Sequence, residues 1–170
     1  MKLYRALVKS VLLYNCGTWA LTKTQVEKLN AFHRQQLRRL LNIKYPTIIT
    51  NKTLYSETNE RPIPLDILDH RWRLFGHILR RDPEIPANKS MDAYFVRCRN
   101  PFKGRPLTTL PTVLHQDLQT LDKPLALKNP EDLNKIRELA QDREMWRELQ
   151  QKIVETAEAS QSIDRDAKGP

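Results

Sequence analysis

An all-α fold, a small bundle of about five or six helices with a proline-rich middle loop, is what this 170-residue chain predicts. Three observations carry the prediction. All eleven prolines lie beyond Tyr45, so residues 1–45 can be helical almost throughout. Apolar residues recur at three- and four-residue spacing in several long stretches, the period of a helix with one buried face. Helix-opening signals stand ahead of those stretches, either a threonine with a reciprocal acid three residues on or a rigid proline entry.

The elements follow in order. Leu3, Leu7, Val11 and Tyr14 repeat at helical spacing and predict a first helix with that stripe as its apolar side, broken near Gly17. Thr24 with Glu27 forms a capping box that opens a second helix to about Leu41. Its apolar arc is Val26, Leu29, Phe32, Leu37, Leu40 and Leu41. The two are expected to pack as an antiparallel pair over residues 1–45. Tyr45-Pro46 ends that pair, and Thr50 or Asn51 caps a short helix to about Thr58.

After the rigid entry Arg61-Pro-Ile-Pro64, the stretch from Leu65 to Arg81 is the clearest amphipathic helix, with Leu65, Leu68, Trp72, Phe75 and Leu79 on one face. Residues 46–100 thus read as a second helical region. From Asp82 to Pro111 the period fades into loop, with one short element around Met91 to Cys98 that suits a helix or a strand. Residues 101–130 read as a proline-rich linker containing a helix from about Leu107 or Pro111 to Leu121. A C-terminal amphipathic helix fills 131–157, with Leu139, Trp146, Leu149 and Ile153 on one side, and residues 158–170 predict a disordered tail.

Charge gives the first functional lead. Lys and Arg total 29 against 20 Asp and Glu, a formal charge of +9 that points to a polyanionic partner. The excess is uneven: residues 1–45 carry nine cations and one acid, whereas 129–170 carry seven cations and ten acids. Only one region is therefore expected to face the polyanion. Two cysteines, Cys16 and Cys98, make no disulfide framework, and no segment approaches the ~20 apolar residues of a membrane helix. The chain reads as intracellular, nuclear or cytoplasmic, not secreted and without a membrane partner.

Three basic stripes are the candidate binding residues. Lys2, Arg5 and Lys9 share a side of the first helix. On the second, Lys28 and Arg39 align with Gln35, and Arg34 and Arg38 lie further round. On the Trp72 helix, His70, Arg73, His77, Arg80 and Arg81 occupy the polar face. Helix-borne cations at this spacing can follow a phosphate backbone, releasing counterions at each contact. A solvated helix face is the plain alternative for each stripe. Lys103 and Arg105, in Lys103-Gly-Arg-Pro106, suit either a basic hook or an ordinary turn.

Other residues read as structural. Arg71 projects into the apolar arc of its helix, where it calls for a buried carboxylate, a carbonyl or an aromatic neighbour. Gly76, costing about 1 kcal/mol against alanine inside a helix, marks close approach by another backbone, of a neighbouring helix or of a nucleic-acid strand. Trp19, Trp72 and Trp146 read as packing anchors, with base stacking an alternative at Trp19 or Tyr94. His33, His70, His77, His115, Cys16 and Cys98 show no metal-ligand spacing, so no metal and no cofactor is expected. No nucleophile triad or phosphate loop is present either, and no enzymatic activity is expected.

Three landmarks occur in fixed order: Tyr14-Asn-Cys-Gly-Thr-Trp19, Leu37-Arg-Arg-Leu-Leu-Asn-Ile43 and Arg71-Trp-Arg-Leu-Phe-Gly-His-Ile-Leu-Arg80. Weaker echoes follow at Gly104-Arg-Pro106 and Ala140-Gln-Asp-Arg-Glu-Met-Trp146. Together they resemble the C-terminal part of the reverse transcriptase of LINE-type (non-LTR) retrotransposons, over roughly residues 3 to 150. The resemblance implies a helical thumb at 3–45 and the region just beyond it at 61–81, contacting RNA, an RNA–DNA hybrid or DNA. The catalytic palm and its paired aspartates have no counterpart here. Such a thumb should expose an apolar patch where a palm domain docks; a self-contained interaction module should not. Met1 lies within two residues of the match, as in a truncated copy, so a helical protein-interaction module or a non-functional relic stands as the alternative.

Overall fold

A computed structural model describes residues 1–97, 107–121 and 125–166, and all its regular elements there are helical. Helix α1 begins as a π-helix, Tyr4–Lys9, and passes directly into Ser10–Leu12. A single 3-10 turn, Cys16–Thr18, leads to α2 (Lys23–Leu40) and α3 (Asn51–Thr58). Then come α4 (Ile63–Leu79), α5 (Pro86–Arg97), α6 (Leu110–Leu118), α7 (Pro130–Gln141) and α8 (Arg143–Asp166). Among the described residues there are eight helices, more than the five or six expected.

The central element is α4, which touches the 3-10 turn, α2, α5, α7 and α8. Ten of its residues are buried, so its apolar surface wraps well beyond one face. On one flank Trp72, Phe75 and Leu79 join Leu118 of α6 and Trp146 and Ile153 of α8 in the main core. On the other, Ile63 and Ile67 pack on Leu13 and Cys16, while Tyr4, Leu37, Leu54 and Tyr55 close a third cluster. Side chains of α1 and α2 meet in opposite senses, as an antiparallel pair requires. Tyr4 hydrogen-bonds His33, and Leu12 shares a cluster with Leu29.

Helix ends are set by identifiable groups. Thr50 caps α3 and Asn129 caps α7, each side chain accepting from the backbone three residues on. Asn15, Asn42 and Asn59 take φ of 54°, 54° and 49°, the left-handed conformation that asparagine tolerates where a helix stops. The Asn88 amide donates to the carbonyls of Ile78, Arg81 and Asp82, satisfying orphan acceptors at the end of α4.

Several expectations are corrected. The α1 stripe is inverted: Leu3, Leu7, Val11 and Tyr14 are 65–81% exposed, and Tyr4, Leu13 and Cys16 face inward. Lys9 lies on the inward side because Glu60, from the α3–α4 connection, and Asp66, from the first turn of α4, meet it there. Thr22, not Thr24, caps α2, in a reciprocal pair with Gln25. Within α2, Asn30 and His33 are buried while Phe32 and Leu40 stay exposed, because Tyr4 and Tyr55 bring hydroxyls to those polar groups. The Met91 segment is helical, extended back to Pro86. The single C-terminal helix is two, divided at Asp142, whose carboxylate accepts from the Glu144 and Met145 amides and starts α8 afresh. Helix α8 then continues to Asp166, into the stretch expected to be disordered; residues 167–170 lie outside the described residues.

Candidate nucleic-acid interface

The first basic stripe is largely consumed inside the fold. Arg5 Nε donates to Glu60 Oε1 at 2.5 Å, and Lys9 Nζ lies 2.8 Å from both Glu60 Oε2 and Asp66 Oδ2. Burial opposes the charge on Glu60, but Lys9 and Arg5 overcome it and hold its carboxyl below the usual range. An arginine and a lysine so committed can reach a phosphate only by leaving a nearly buried carboxylate behind. Lys2 is exposed and has no ion pair among the described residues, so one of the three predicted cations on this helix stays available.

The second stripe is placed differently. Lys28, Arg34, Arg38 and Arg39 form no ion pair among the described residues, and Glu27 is the one acid of α2. Arg38 is half-buried and pre-oriented: its Nη2 donates to Asn51 Oδ1 at 2.8 Å and its Nη1 to the Arg34 carbonyl at 3.5 Å. Arg38 and Arg39 also sit in the last turn of α2, where cations complement the helix dipole. At the other end of α2, Lys28 borders a shallow apolar depression that includes Trp19, Leu21 and Leu29.

The third stripe divides. His70 Nδ1 lies 3.0 Å from Cys16 Sγ and ties the 3-10 turn to α4. Burial pushes that thiol up to about 11, so it serves as a neutral hydrogen-bonding group. Gly17 belongs to the same junction: a Cβ there would meet the His70 carbonyl at 2.9 Å and Leu74 Cβ at 3.2 Å. Arg73 leans on Asp69 at 3.4 Å with 67% of its side chain exposed. His77 and Arg81 are exposed, and Arg80 donates to the Ala140 carbonyl at 3.1 Å.

Two cations that sequence reading missed, Arg143 and Arg147 of α8, stand opposite Arg73, His77 and Arg80 across a groove of about 740 Å³. A signal existed in the four-residue spacing of the two arginines, which puts both on one side of a helix. Summing charge over an acidic region concealed it. Lys103 and Arg105 lie outside the described residues.

Of the partners open to it, Arg71 takes a carboxylate, that of the half-buried Asp117. Its Nη1 donates to Asp117 Oδ2 at 2.8 Å, and Trp72 Nε1 donates to the same oxygen at 3.0 Å. The close approach at Gly76 is made by a side chain and not by another backbone, for the Trp146 indole lies where a Cβ would stand. No helix of the described residues is long and apolar enough to cross a membrane. Comparison with known proteins finds no matching family model, no matching curated protein and no matching solved structure.

Proposed function

We propose that this protein is a nucleic-acid-binding helical unit, akin to the thumb and post-thumb end of a LINE-type reverse transcriptase. It binds RNA, an RNA–DNA hybrid or DNA through phosphates and carries no polymerase site of its own. The observation that carries the reading is the face of α2, where Lys28, Arg34, Arg38 and Arg39 stand without ion-pair partners among the described residues. Each cation so placed releases counterions when it meets a phosphate, which makes binding strong at low salt and weak at high salt.

Two further observations support the same reading. Two landmarks of the resemblance and one of its weaker echoes are in contact: Gly17 packs against Leu74 of α4, and Trp146 packs over Gly76. The exposed stripe of Leu3, Leu7, Val11 and Tyr14 is the apolar patch a detached thumb should carry, available to a palm domain. A nucleic-acid role of this kind belongs inside the cell, in nucleus or cytoplasm.

The test is the triple variant R34A/R38A/R39A, measured for binding to a labelled RNA–DNA hybrid across a salt series. Affinity should fall, and the slope of log K against log salt should flatten by up to about three ions' worth. An unchanged slope would reject this face as the contact.

A further inference from the structure

We propose that the groove between α4 and α8 is a separate binding site for a compact, multiply charged phosphate anion, such as a short polyphosphate or the terminal phosphate of a nucleic-acid strand. This goes beyond the phosphate-backbone contact assigned to α2 and does not depend on it.

The groove brings together five arginines, 61, 73, 80, 143 and 147, against two carboxylates, Asp69 and Glu155. The formal excess is three positive charges, and it is concentrated at one end. Asp69 takes Arg61 at 3.3 Å and Arg73 at 3.4 Å and also accepts from Gln150, so that end is internally matched. Glu155 accepts from Gln151. At the opposite end Arg80, Arg143 and Arg147 have no ion-pair partner among the described residues. They are close enough to one another that, with burial, Arg143 and Arg147 depress the affinity of the Arg80 guanidinium for its proton.

Three guanidinium groups converging without an intervening carboxylate is an arrangement an anion relieves, and planar forks match phosphate oxygens in pairs. The walls are rigid. Trp146 is wedged over Gly76 with its Nε1 donated to the Trp72 carbonyl, and Arg80 is held by Ala140. His77, exposed at the groove, adds a further potential donor. Concavity distinguishes this place from the helix stripes: a groove focuses the field on a small ligand, whereas a convex helix follows an extended backbone.

The full chain should be titrated calorimetrically with tripolyphosphate, beside R143A/R147A and the α2 variant R34A/R38A/R39A. Both substituted arginines of α8 are exposed, so the fold should persist, and unchanged far-UV circular dichroism would verify it. Binding by the wild type, weakened about tenfold or more in R143A/R147A and preserved in the α2 variant, upholds the site. Absence of binding, or equal weakening in the two variants, overturns it. A parallel comparison of 5′-phosphorylated and 5′-hydroxyl oligonucleotides identifies the source. A preference for phosphate that R143A/R147A abolishes assigns a strand end, and tripolyphosphate binding without that preference assigns a free polyphosphate.

Discussion

Replacing Gly76 with alanine tests the packing that holds α4 against α8. A Cβ at this position would stand 2.5 Å from Trp146 Cε2 and 2.9 Å from Cδ1. Carbon atoms pack at about 3.5–4.0 Å, so the indole would have to move by roughly 1 Å. It has nowhere to go. Trp146 is 3% exposed, its ring centroid lies 5.6 Å from that of Trp72 and 6.0 Å from that of Phe75, and its Nε1 donates to the Trp72 carbonyl at 3.2 Å. Overpacking of this kind costs about 1–3 kcal/mol. Losing the indole hydrogen bond adds about 1 kcal/mol, while the better helix propensity of alanine returns about 1 kcal/mol. The net is a destabilisation of about 2 kcal/mol, or roughly 4–8 °C in Tm for a chain of this size. Urea denaturation followed by far-UV circular dichroism would measure it. Shrinking the indole in G76A/W146L should recover part of the clash energy, because the two sites share one contact. A G76A protein as stable as the wild type would refute the assignment of Gly76 to the Trp146 contact.

Three further expectations follow from the same geometry. R71A should cost about 3 kcal/mol in urea denaturation, since it leaves the half-buried Asp117 without its cation, while R71L/D117L should recover much of the loss. Burial and the nearby Lys9 lower the pKa of His33, so the unfolded chain takes up a proton more readily than the folded one. Stability should therefore fall as pH drops below about 6.5, the unfolded value, and the urea midpoints at neutral and mildly acidic pH should draw together in H33Q. L3S/L7S/V11S should change Tm little, because those side chains are already exposed, whereas L13A should cost about 2–5 kcal/mol.

How much was legible depended on how local the cause was. Helix α4 could be read because Leu65, Leu68, Trp72, Phe75 and Leu79 repeat within one helix, and α3 because Thr50 caps it from the adjacent position. Arg71 could be read as structural from its projection alone, though its partner Asp117, 46 positions away, could not be named. The face of α1 was misread for the same reason. Leu3, Leu7 and Val11 offer a good apolar stripe, and the groups that turn Lys9 inward, Glu60 and Asp66, lie more than 50 positions downstream. The division at Asp142 needed knowledge that its carboxylate caps a new helix instead of continuing the old one. The groove escaped notice because Arg143 and Arg147 are interleaved with Glu144 and Glu148, so their region sums to acidic although one of its faces is basic.

The most direct measurement of the central claim is binding of the unmodified chain to an RNA–DNA hybrid and to single-stranded RNA across a salt series. Micromolar or tighter binding at low salt, falling steeply as salt rises, is the predicted result. Helical circular dichroism with no binding to either at low salt would contradict it, leaving the cations of α2 as a solvated surface.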